Sequence, residues 1–199
     1  MQLRTPAIVC AVRPHGETAA IVRLLTEAHG MVAGYVAGGR GRQLRPVLIP
    51  GNMVEADLRS RTEGQLPFAR LELLNSRGPW LGGPLPAAAI GWTTALTAAA
   101  LPERQPYPAL FPALAALLDA VCHAPSARGW LPGLIGYEAL LLRELGYGAP
   151  PRPESDEIAV QLAAFDALGA RIARYPLAER RGDVMGARSM LRERLARIV

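Results

Sequence analysis

The stretch Met53–Arg61, MVEADLRSR, has the cleanest alternation of apolar and polar residues in the chain. Val54, Ala56 and Leu58 take one side of an extended segment, and Glu55, Asp57, Arg59 and Arg61 take the other. A period of two marks a strand with one buried and one wet face. Working outward, Leu66–Leu74 repeats the pattern, with Ala69, Leu71 and Leu73 inward and Phe68, Arg70 and Glu72 outward. Upstream, Pro6–Val12 is short, apolar and β-branched, and Arg13-Pro14-His15-Gly16 supplies a turn. Thr18–Thr26 is a second apolar run, Ala28-His29-Gly30 breaks it, and Met31–Ala37 resumes with small side chains. Five short strands in about 75 residues predict a small closed barrel of the OB type.

Composition changes at Ser76–Pro86, where SRGPWLGGPLP reads as a junction. Beyond it the chain is rich in Ala and Leu. Helices are expected over Ala87–Leu101, Ala109–His123, Trp130–Leu145, Asp156–Arg174 and Val184–Ile198. Gly146 stands where a helix-ending glycine belongs, and Ser155 and Asp183 are candidate N-caps. The expected fold is therefore α+β: a barrel domain over residues 1–80, then an all-helical domain over residues 81–199.

With 199 residues, half of them hydrophobic, the chain can bury two cores. No apolar run reaches the roughly 18 residues of a membrane span. The N-terminal stretch MQLRTPAIVCAVRP lacks the features of a signal peptide, so a soluble cytoplasmic protein is expected. Cys10 and Cys122 are too few for a metal site or disulfide framework and read as buried free thiols. His15, His29 and His123 have no neighbours at metal or triad spacing, and no hydrolase, metalloprotease or phosphate-loop signature occurs. Catalysis and a cofactor are not expected. The net charge is +5, and every basic residue is arginine. Residues 1–80 hold ten Arg against six acids, 81–170 four against eight, and 171–199 eight against three. Basic ends around an acidic middle point to a polyanion.

The connection Gly38–Asn52 gathers Arg40, Arg42 and Arg45 beside GGRGR, which lacks the GK[ST] ending of a phosphate loop. Arg59 and Arg61 share a strand face, where Glu55 and Asp57 can pair with them, and Arg13 lies at a turn. Such groups neutralise phosphates, giving salt-dependent, largely sequence-independent binding. Tyr35 and Phe68 are the only aromatic rings of Phe, Tyr or Trp in residues 1–75, so binding is expected to be mainly electrostatic; Phe68 reads either as a base stacker or, the favoured reading, as a partly buried strand residue. In the last helix, ARSMLRERLARIV, Met190, Leu191, Leu195 and Ile198 form an apolar stripe rimmed by Arg188, Arg192, Arg194 and Arg197. The stripe reads either as a face packed on its own domain or as a dock for an acidic, apolar-tipped peptide.

RPHGET at Arg13–Thr18, the glycine/arginine loop, LIPGN at Leu48–Asn52, LPERQPYPALFPAL at Leu101–Leu114, YEALLLRELGYG at Tyr137–Gly148 and GARSMLRERL at Gly186–Leu195 together resemble the RecO family of bacterial recombination mediators. That resemblance implies an OB barrel, a helical domain and no catalytic turnover. It implies binding of single- and double-stranded DNA, annealing of complementary strands, and work with RecR. It also implies engagement of the C-terminal tail of single-strand-binding protein and placement of RecA on coated strands, in the cytoplasm and at the nucleoid. Carried over by position, the resemblance implies Arg13, Arg40, Arg42, Arg45, Arg59 and Arg61 as candidate DNA contacts, and Arg188, Leu191, Arg192 and Leu195 as candidate tail contacts. Many members carry a four-cysteine zinc site after the GYG motif. GYGAPPRPESDE has no cysteine, so no metal is expected. An RNA-binding barrel and a non-enzymatic interaction scaffold are the rival readings of the same basic surfaces.

Overall fold

The computed structural model describes residues 2–62, 64–179 and 184–198. The chain forms two compact units, Met1–Gly82 with Leu101–Phe111, and Gly83–Ala100 with Pro112–Val199. The first holds strands β1 (Gln2–His15), β2 (Ala19–Thr26), β3 (Gly30–Val36), β4 (Met53–Arg59) and β5 (Phe68–Asn75). They close in the order β1-β2-β3-β5-β4. Every pairing is antiparallel except β3 with β5, which meet at the single pair Tyr35 and Phe68. This is the five-stranded OB-type barrel that the alternating segments predicted.

Strand β1 is twice the length expected from Pro6–Val12. Its first half pairs with β4, from Gln2–Arg59 to Ile8–Met53, and its second half with β2, from Ile8–Leu25 to His15–Ala19. The register shifts between Val9 and Ala11, so Cys10 sits at a bulge that lets one strand bend across two neighbours. Arg4, Thr5 and Pro6 hide the first half from an apolar-run reading. Inside, Val9, Val22, Leu24, Val54, Ala56 and Leu58 are fully buried, which is the inward face read from β4. Leu73, expected inward, is 40% exposed beside the register shift at the β4 end. Burial pushes the Cys10 thiol up to about 12.

Segment 101–111, expected with the helices, packs on the barrel. The Arg104 amide donates to the Met31 carbonyl at 2.8 Å, and the Arg23 guanidinium donates to the Leu101 carbonyl. Gly30 makes room for it: φ is +66°, and a Cβ there would collide with the Gln105 carbonyl. The Thr26 hydroxyl donates to the Gly30 carbonyl and accepts from the His29 amide, fixing the β2–β3 turn.

The second unit is helical: α1 (Pro84–Ala100), most of α2 (Leu110–His123), α3 (Leu131–Glu144), α4 (Ile158–Arg174) and α5 (Val184–Ala196). These fall within a few residues of the sequence expectation. Gly146 ends α3 with φ +81°, its amide donating to the Arg143 carbonyl. The N-cap of α4 is Glu157 rather than Ser155, whose hydroxyl instead accepts from the Glu157 amide. Asp183 lies outside the described residues. Trp92, Phe165, Leu134 and Leu141 are buried in this core, and no helix among the described residues is long and apolar enough to cross a membrane. Cys10 and Cys122 are both buried and in no disulfide.

Candidate nucleic-acid interface

The arginine loop is tied down rather than free. Consecutive turns run from Gly38 to Leu48, with the Arg45 amide donating to Gly41 and the Leu48 amide to Leu44. Leu44, Val47 and Leu48 pack on the barrel core. Asn52, fully buried, donates to the carbonyls of Pro46 and Val47 and accepts from the Arg77 amide at 2.7 Å. It thus pins the loop to the chain leaving β5. The Arg40 guanidinium donates to the carbonyls of Gly16 and Glu17, at 3.1 and 2.9 Å, and its amide donates to Thr18. Arg40 therefore clamps the β1–β2 turn. Arg40 and Arg45 line a cleft of about 250 Å³ with Val12, Pro14, Ala20 and Leu48. Arg42 is exposed on the same loop.

Strand pairing places a second group. Arg13 pairs with Ile21, Ile21 with Tyr35, Tyr35 with Phe68, Phe68 with Arg59, and Arg59 with Gln2. These residues form one row around the outside of the barrel, across all five strands. Phe68 is 63% exposed rather than partly buried. Its ring centroid lies 5.2 Å from that of Tyr35, edge to face, and Tyr35 lies 5.8 Å from His15 in the same manner. Beside the row, where β3 and β5 part, opens a cleft of about 480 Å³ lined by Arg59, Arg70, Phe68, Asp57, Leu44 and Leu71 among others. Arg59 donates two bonds to the Asp57 carboxylate, at 3.0 and 2.7 Å. That hydrogen bonding holds the Asp57 carboxyl below its usual range and raises the Arg59 guanidinium further. Arg13, Arg42, Arg45, Arg61 and Arg70 are exposed and have no ion-pair partner among the described residues. Arg70 joins the arginines named from the sequence, and the β5 alternation is the signal that turns it outward.

The four residues assigned to tail binding sit otherwise. Leu191 and Leu195 are fully buried, and Arg188 is 5% exposed. The Arg188 guanidinium donates to both oxygens of Glu138, at 3.3 and 2.9 Å, and to the Phe165 carbonyl, and lies 3.6 Å above the Phe165 ring. The Trp92 indole N–H donates to the same carboxylate at 2.7 Å. Burial pushes the Glu138 carboxyl above its usual range. Arg192 holds Asp166 through two bonds, at 2.7 and 2.9 Å. Arg188, Leu191 and Leu195 thus belong to the helical core, not to an open dock, and the packed-face reading of α5 fits them.

The family model for the recombination protein O N-terminal region matches residues 1–77, and that for its C-terminal region matches residues 86–150. Curated proteins named DNA repair protein RecO are similar: 45% identical over 149 residues in Rhodospirillum centenum, 43% over 150 in Phenylobacterium zucineum and 44% over 150 in Caulobacter vibrioides. Each alignment covers 74% of this chain, and 58%, 60% and 60% of the respective relatives. The chain thus spans about three-fifths of the length of these relatives.

Proposed function

The chain belongs to the RecO family, and from this we propose that it is a DNA-repair and recombination mediator that works by binding, without catalysis. The barrel holds single- and double-stranded DNA on its arginine loop and outer row. Strands held on one cationic surface have their mutual repulsion screened, which favours annealing. A second surface holding RecR and single-strand-binding protein raises their effective concentration on the strand, and so favours RecA loading. The carrying observation is the set of exposed arginines without a described ion-pair partner, Arg13, Arg42, Arg45 and Arg61, on one barrel. Arg40 is half engaged by the turn it clamps, so Arg42 and Arg45 are the sharper probes. Replacing both with Ala lowers the slope of log affinity against log salt by about 0.7 for each single-strand phosphate that is no longer neutralised. Fluorescence anisotropy of a labelled oligonucleotide across a salt series reads this out, and an unchanged slope would sink the loop's role. A matched RNA competitor separates the RNA-binding reading.

The acidic tail of single-strand-binding protein fits a different place from α5. A cleft of about 170 Å³ between α3 and α4 has Ile135, Ala139 and Leu168 in its lining and the exposed Arg143 and Arg152 among its residues. Apolar floor with cationic rim suits an acidic, apolar-tipped peptide. Arg143→Glu with Arg152→Glu is expected to abolish binding of such a peptide, followed by calorimetry. Undiminished binding removes this placement.

A further inference from the structure

We propose that Phe68 and Tyr35, with His15 edge-on to Tyr35, form a base-stacking platform, which makes the barrel selective for unpaired over paired DNA. The proposal rests on the nucleic-acid reading and adds a ligand class to it. Three observations combine. Phe68 exposes nearly two-thirds of its surface on a strand, where an apolar ring gains nothing from water. Its neighbours in register are Tyr35 on one side and Arg59 on the other, with Arg13 next but one beyond Tyr35. The wide cleft alongside it carries Arg70 and the Asp57-paired Arg59 together with the apolar Leu44 and Leu71.

Rings flanked on both sides by guanidinium groups match a polymer that alternates planar faces with phosphates. A single strand offers both. A duplex hides its base faces in its own stack and can use only the arginines. An apolar peptide would leave Arg13 and Arg70 without counter-charge, and an acidic peptide would leave the rings unused. The expected arrangement places unpaired bases against Phe68 and over the cleft, with Arg13 and Arg70 meeting phosphates on either side.

The test compares labelled oligothymidylate with a duplex of equal length, for the whole chain. Phe68→Ala is expected to weaken oligothymidylate binding roughly 5- to 150-fold, the worth of one stacked base. Duplex binding and both salt slopes stay as they were, because no charge has been removed. Phe68→Leu keeps apolar bulk but no π face and falls with Ala, whereas Phe68→Trp restores binding and its added emission is quenched by the strand. The exposure of Phe68 leaves the fold intact, checked by thermal melting. Wild-type oligothymidylate binding in Phe68→Ala or Phe68→Leu, or equal losses for duplex and single strand, overturns the platform. If those results accompany a flattened slope in the Arg42/Arg45 variant, the platform falls alone. If the wild type binds neither oligonucleotide at low salt, the nucleic-acid reading falls with it.

Discussion

Asp57 sets how much of the charge on β4 is available to a polyanion. Its carboxylate takes two bonds from Arg59 in an exposed pair, the kind that contributes little to stability. Removing the acid therefore costs the fold little and frees a guanidinium beside Phe68. Asp57→Asn is expected to tighten oligonucleotide binding several-fold at low salt and to steepen the salt slope by about 0.7. In an Arg59→Ala background the same change has a smaller effect, because only the general negative charge is lost. A salt titration of the wild type and the three variants settles this, and equal effects in both backgrounds would separate Asp57 from Arg59. The alternation of MVEADLR made this pair legible, since like-facing residues two apart on a strand are neighbours. The work of Asn52 was not legible. LIPGN marks a turn, but nothing local says that its amide spans the arginine loop and its carbonyl the chain after β5.

Helix α5 carries the lesson at the next scale. Arg188, Leu191 and Leu195 recur at a helical spacing that puts them on one face, and Glu138 sits inside the apolar run YEALLL. Two unlike charges, each embedded in an apolar stripe, are a sequence signal for a buried pair. The other arginines of the helix, Arg192, Arg194 and Arg197, mask that signal by making Arg188 one of a basic rim. The pair joins α3 to α5, while Trp92 of α1 and Phe165 of α4 close over it. Gly169 on α4 belongs to the same device, since a Cβ there would run into the Arg188 guanidinium. Arg188→Met leaves the Glu138 carboxylate buried among apolar groups, and a loss of about 3–5 kcal/mol is expected. Adding Glu138→Gln removes the stranded charge and recovers much of that loss. Chemical unfolding of the single and double variants checks it: a double variant no better than Arg188→Met would mean the bonds themselves, not the stranded charge, carry the cost.

Over the whole chain, the order of elements was legible and the grouping of segments was not. Strand alternation and helical stripes are local patterns, so the barrel and helices appear in sequence at nearly the right places. Assigning Leu101–Phe111 to the barrel needs long-range information: a guanidinium at position 23, a carbonyl at 31 and a glycine at 30 that accepts a crossing backbone. The same holds for the candidate site. Individual arginines could be picked from composition, but the ring row of Tyr35 and Phe68 exists only because β3 and β5 meet once, in parallel, across an interval of more than thirty residues. Both rings stand in the sequence of residues 1–75, but nothing local there brings them together.

The bend in β1 sets two loop closures of very different length on one strand. Its second half pairs with β2 across a short turn, a pairing that a chain makes within microseconds. Its first half pairs with β4, about fifty residues away, and must wait until the intervening loop has been gathered. A single strand thus carries both a hairpin pairing and the pairing of longest sequence separation in the barrel, and the bulge at Cys10 is where one passes to the other.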